Sequence, residues 1–131
     1  MILGLGTDLV AVERVRAALQ RHGERFSERI LTPGERALCD DRSDPALCLA
    51  ARFAAKEAGA KALGTGFGHG VRMRDLEVVR ESGRAPQLHM HGGAAAVAAG
   101  LGIVRAHLSL SDEPGYALAT VVLEGAFSEP V

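Results

Sequence analysis

A chain of 131 residues is the size of one domain and can bury roughly two-thirds of the surface its unfolded form exposes. A hydrophobic fraction of 47% excludes disorder, and a net charge of -1 excludes general affinity for nucleic acid or membrane surfaces, so a charged partner must be met by a local patch. Cys39 and Cys48 are too few for a disulfide framework and predict a reducing cytoplasm; the start has no basic leader, and no apolar run is long enough to span a bilayer.

In chain order, residues 2–8 alternate as a strand, with Ile2, Gly4, Gly6 and Asp8 on one face and Leu3, Leu5, Thr7 and Leu9 on the other. Val12, Val15 and Leu19 then take helical spacing up to Gly23, and Phe26, Ile30 and Leu31 require burial. Thr32-Pro33-Gly34-Glu35 reads as a capped helix start with a capping box. Ser43-Asp44-Pro45 opens a longer helix, running to Gly64, and Gly64 to Gly70 reads as a glycine-rich, close-approach loop. Strands are predicted at 75–81, Gln87–His91, Val104–Ser111 and Tyr116–Glu124, with a short helix at Ala94–Ala99 and frayed final residues. The pattern predicts a single α+β domain.

The long helix carries the densest polar pattern. Glu57 and Lys61 share one face, and Arg52 and Lys56 share a neighbouring one. These pairs are set among Ala54, Ala55, Ala58, Gly59, Ala60 and Ala62, small residues that admit a close neighbour or a ligand. A glycine mid-helix costs about 1 kcal/mol against alanine, so Gly59 points to packing. The helix runs directly into Gly64-Thr65-Gly66, whose backbone amides suit phosphate oxygens.

Four segments carry a family resemblance: Gly4-Leu5-Gly6-Thr7-Asp8-Leu9; Arg52-Phe53-Ala54-Ala55-Lys56-Glu57-Ala58 with Lys61; Gly64-Thr65-Gly66; and His107-Leu108-Ser109-Leu110-Ser111-Asp112 with Tyr116-Ala117. In this order they resemble the holo-acyl-carrier-protein synthase branch of the 4′-phosphopantetheinyl transferases, from Ile2 to about Glu124. The resemblance implies a phosphopantetheinyl transferase-like fold over residues 1–131, with an antiparallel sheet, a long helix packed against it, and assembly as a homotrimer. It implies magnesium-dependent transfer of 4′-phosphopantetheine from coenzyme A to a serine of an apo acyl carrier protein, releasing adenosine 3′,5′-bisphosphate, in fatty acid biosynthesis, with a polyketide carrier left open as the alternative.

By the same resemblance Asp8 and Glu57 bind Mg2+, which suits a hard cation held by one or two carboxylates and substrate phosphates. Aspartate is equally a good helix cap at that place. Lys61 is implied to neutralise the departing bisphosphate, and the catalytic set is Asp8, Glu57 and Lys61, with Asp8 or a metal-held water as base. Coenzyme A is assigned Arg52, Lys56, Gly64, Thr65, Gly66, Arg84, Pro86 and His107. Arg84 reads equally well as a solvated turn residue and His107 as a hydrogen-bonded strand histidine. Some relatives have a histidine where this chain has Asp112, which removes a histidine base from that place.

Arg14, Arg21 and Arg25, spaced by seven and four, form one stripe on a continuous helix. With Phe26 they are the expected docking surface for the acidic carrier protein. His89 and His91 share a strand face but have no evident third ligand for zinc. Two other function classes fit part of the pattern: a trimeric binder of nucleotide and magnesium without transfer, and a metal-dependent pyrophosphatase acting on coenzyme A.

Overall fold

Alternation in the first ten residues builds the strand from which the molecule is assembled. In the computed structural model, which describes residues 1–127, β1 spans Ile2–Ala11. Helices α1 (Val12–His22), α2 (Glu24–Ile30), α3 (Pro33–Asp40) and α4 (Pro45–Leu63) follow. A 3-10 turn at Met73–Asp75 leads to β2 (Leu76–Val79) and β3 (Gln87–Met90), and then to α5 (Gly92–Leu101), β4 (Ile103–Glu113) and β5 (Tyr116–Gly125). One antiparallel sheet has the order β1-β5-β4, and β2 and β3 pair as a separate antiparallel ribbon. The α+β expectation holds, and the long helix spans the predicted Pro45–Leu63. The expected fraying of the last residues lies outside the described ones.

Helix ends follow the sequence signals. Thr32 accepts from the Glu35 amide while the Glu35 carboxylate accepts from the Thr32 amide, completing the capping box on α3. Asp44 caps α4 and is gripped by both terminal nitrogens of Arg16, at 3.1 and 3.2 Å, which ties α1 to the start of α4. Gly64 ends α4 in the left-handed region, where a side chain would be strained.

The core lies between α4 and the inner face of the large sheet. Ala54, Ala55, Ala58 and Ala60 are fully buried, as are Ala117, Ala119, Val121 and Leu123 of β5. Ala117 and Ala119 therefore serve this helix contact. Gly59 faces the other way: its Cα side lies against Leu76 and Leu88, so the β2-β3 ribbon seats on α4. Gly4 and Gly6 approach the helix backbone so closely that a Cβ on either would overlap the carbonyl oxygen of Ala62 or Ala58.

The expected break at Gly23 is present: it takes positive φ and separates α1 from α2, so Arg14, Arg21 and Arg25 do not lie on one continuous helix. Two expectations need correction. The two cysteines are not separate thiols, since Cys39 of α3 and Cys48 of α4 are joined as a disulfide, their Cα atoms 5.4 Å apart. The segment at 75–81 is a strand only from Leu76 to Val79, because the 3-10 turn takes its first residue. No helix among the described residues is long and apolar enough to cross a membrane.

Candidate active site

Strand period fixes the first component of the site. Gly4, Gly6 and Asp8 share the face turned to α4, and the two glycines bring β1 against the helix backbone at Ala58 and Ala62. The next side chain on that face is Asp8, and it meets Lys61. The Lys61 ammonium donates to Asp8 Oδ1 at 2.9 Å and to the Thr7 carbonyl at 3.0 Å. Glu57, one helical turn before Lys61, lines the same cavity of about 530 Å³ together with Asp8, Arg14, Phe26 and Phe53. Burial, and then the neighbouring Asp8 carboxylate, raises the pKa of Glu57, while Lys61 opposes the rise. Two carboxylates from distant parts of the chain thus converge, under mutual repulsion, in one pocket.

The donor set fits magnesium. Two oxygen-donating side chains are enough for an ion that retains waters and takes further oxygens from substrate phosphates. Burial beside Asp8 disfavours the charged form of Glu57, and a cation between the two carboxylates would offset that cost. Among the described residues no group of three or more histidine, cysteine, aspartate or glutamate side chains converges elsewhere as a metal cage. His89 meets Gln87 at 3.3 Å and His91 meets Glu77 at 2.9 Å, so these histidines have separate partners.

Arg52 and Lys56 part company. Lys56 is fully buried and donates to Glu35 Oε1 at 2.7 Å, to the Met73 carbonyl at 3.2 Å and to the Leu76 carbonyl. All three ammonium donors are taken by protein groups, which makes Lys56 an internal tie. Burial pushes its pKa down, and Glu35 opposes that. The helical period that pairs it with Arg52 does not distinguish an inward from an outward lysine.

Arg52 is 6% exposed, and its Nε is buried without a hydrogen-bond partner. It lines a second cavity of about 230 Å³ with Arg42, Arg80, Asp44, Cys48 and Asp112. Sequence reasoning missed Arg42 and Arg80. The first stands just before the α4 cap and the second just beyond β2, where no periodicity points to a common site.

Pro86 and His107 do come together, in a cavity of about 450 Å³ between β3 and β4 that also takes His89 and Arg105. His107 pairs with Glu124 at 3.1 Å, and that hydrogen bond lowers the Glu124 pKa. Arg84 is outside this lining; it is largely exposed and pairs with Glu81 at 3.6 Å. Gly64, Thr65 and Gly66 form the turn after α4, with the Thr65 hydroxyl donating to the Gly66 carbonyl. Arg21, Arg25 and Phe26, with His22 and Arg29, line a further cavity of about 350 Å³. Phe26 borders this basic pocket and the carboxylate cavity alike.

Comparison with known proteins gives the arrangement a family. The chain is 56% identical over 123 residues to a protein of Halorhodospira halophila named holo-[acyl-carrier-protein] synthase, covering 94% of this chain and 98% of that protein. Its fold is similar to the holo-[acyl-carrier-protein] synthase of Neisseria meningitidis, with a TM-score of 0.88 at 39% identity, covering 95% of this chain and 99% of the other. It is also similar to the Helicobacter pylori holo-[acyl-carrier-protein] synthase in complex with coenzyme A, with a TM-score of 0.81 at 30% identity over 92% and 99% of the two chains. The model of the 4′-phosphopantetheinyl transferase superfamily matches residues 4–121, which include Asp8, Glu57, Lys61 and the arginine-lined cavity, and the chain belongs to that family.

Proposed function

We propose that this protein is a holo-acyl-carrier-protein synthase that transfers 4′-phosphopantetheine from coenzyme A to a serine of an apo acyl carrier protein. The observation that carries the reading is the convergence of Asp8, Glu57 and Lys61 in one cavity, with Arg14 and Phe26 at its edge. Asp8 and Glu57 would hold Mg2+, which when bound supplies charge neutralisation on the diphosphate of coenzyme A. The carrier serine hydroxyl forms the new bond to the phosphorus nearer pantetheine. The bond that breaks leaves its electron pair on the oxygen of adenosine 3′,5′-bisphosphate. Lys61 is placed beside Asp8 to meet that oxygen with positive charge or a proton, while Asp8 is the side chain available to accept the serine proton. As in other phosphoryl transfers, the protein mainly orients groups and stabilises charge.

Arg14 in the carboxylate cavity, and Arg21, Arg25 and Phe26 in the basic one beside it, suit the docking of an acidic carrier next to the reacting phosphate. The arginine-lined cavity at Arg52 suits a phosphate of coenzyme A, because its buried guanidinium has a donor to spare. The homotrimer is supported by the outer face of the large sheet, which exposes Leu3, Leu5 and Leu9 of β1 beside Tyr116 and Leu118 of β5. We place the enzyme in the cytoplasm, where a reducing thiol pool would present Cys39 and Cys48 as neighbouring thiols.

The test is transfer itself. With coenzyme A, magnesium and apo carrier protein, the carrier should gain an arm of about 340 Da, the mass of phosphopantetheine transferred by the group chemistry above. Glu57→Gln should keep the fold and lower transfer at least 10²-fold at saturating magnesium. Unmodified carrier with intact coenzyme A would leave only a nucleotide binder. Cleavage of coenzyme A without carrier would make the protein a pyrophosphatase.

A further inference from the structure

The register of β4 places a carboxylate where the pattern of the sheet calls for an apolar side chain. On its inner face β4 presents Ala106, Leu108 and Leu110, opposite Leu123, Val121 and Ala119 of β5, the face that covers α4. The next inward position is Asp112, opposite the buried Ala117, and its side chain reaches the cavity that Arg52 lines from α4. Asp44, the other carboxylate of that cavity, is already occupied by Arg16 and by the Leu47 amide. Three guanidinium groups, on Arg42, Arg52 and Arg80, are left facing the single carboxylate of Asp112. Among the described residues none of these four takes part in an ion pair with any side chain.

Such a pocket is cationic but not to the full extent of its arginines. Burial weighs most against the charge on Arg52; Glu35 favours it, Arg42 and Arg80 oppose it, and Asp112 adds a smaller favourable influence that reaches the buried guanidinium. A phosphate entering the pocket meets the attraction of three cations and the repulsion of one anion that has no partner of its own. We propose that Asp112 sets the affinity of the substrate site, a built-in counter-charge that holds down the pocket's grip on phosphate in coenzyme A and in the product alike. It thereby keeps adenosine 3′,5′-bisphosphate from lingering after transfer. The proposal rests on the reading that this cavity takes a phosphate of coenzyme A.

Asp112 is exposed, and Asn preserves its shape, so Asp112→Asn should fold; Asp112→Ser provides a second variant. Calorimetric titration should show coenzyme A and adenosine 3′,5′-bisphosphate each binding about tenfold more tightly to both variants. That is the effect of removing one unit charge a few ångströms from a phosphate at partly screened range. Product inhibition should strengthen by the same factor, and the salt dependence of binding should steepen. Unchanged or weaker binding of both ligands would overturn the role given to Asp112. Arg42→Gln and Arg80→Gln separate the two readings. If they weaken coenzyme A binding while Asp112→Asn fails to tighten it, only the counter-charge falls. If they leave coenzyme A binding unchanged, the cavity is not its phosphate site and both fall.

Discussion

Lys56 and Glu57 are adjacent in sequence and have opposite tasks. One turns into the core, where Glu35 and two carbonyls take all its protons, and the other lines the carboxylate cavity. Removing the lysine leaves the Glu35 carboxylate buried without its cation, a change that typically costs about 3–5 kcal/mol. Lys56→Met should therefore lower the urea midpoint sharply while leaving the Michaelis constant for coenzyme A unaltered in the folded fraction. A rise in that constant at unchanged stability would return Lys56 to the substrate. Asp8, Glu57 and Lys61 were legible as a set only through the family motifs: period four put Glu57 and Lys61 on one helix face, but the residues alone left Asp8 equally suited to capping a helix. The inward turn of Lys56 was not legible, because a family motif marks a position without saying which way its side chain turns. Arg42 and Arg80 were not legible at all, since only the folded chain brings the end of one strand to the start of a distant helix.

At the scale of elements, the decisive contact is backbone against backbone. Gly4 and Gly6 let β1 lie directly on α4, and this approach delivers Asp8 to Lys61. Gly6→Ala would drive a methyl group into the Ala58 carbonyl, and β1 must move as a whole to relieve it. We expect a loss of roughly 1–3 kcal/mol in stability, the usual cost of overpacking, and a fall in kcat larger than stability alone explains. Gly100→Ala provides the control, because open space surrounds that position on α5. Equal kinetics for the two variants would show that Asp8 does not depend on the glycine contact. The strands and the capped helices α3 and α4 were readable from alternation and cap chemistry. The short helix α2 was not, since seven residues after a glycine break give too little periodicity to separate a helix from a loop.

At the scale of the molecule, one sheet face is spent on the core and the other is left apolar on β1 and β5. Leu5 and Leu9 are 66% and 63% exposed, and such a contiguous patch marks an association surface. If the proposed trimer forms there, Leu5→Glu should give monomers by sedimentation at micromolar concentration, with the α+β circular dichroism retained. A persistent trimer would move the interface elsewhere. Composition carried no sign of this: alternation predicts two faces to a strand, and burial of both requires a partner that one chain does not supply.

The Glu35 carboxylate serves three masters at once. It closes the N-terminus of α3 through the Thr32 amide, receives Lys56 from α4, and accepts the Val78 amide of β2. Loss of Lys56 would leave the carboxylate an unbalanced buried charge, and loss of either amide would leave it one hydrogen bond short. A helix end, a helix interior and a ribbon strand, far apart along the chain, are consequently bound into a single cooperative unit. Opening any one of them to water weakens the hold on the other two, so the floor beneath the catalytic helix is expected to exchange its amides as one region.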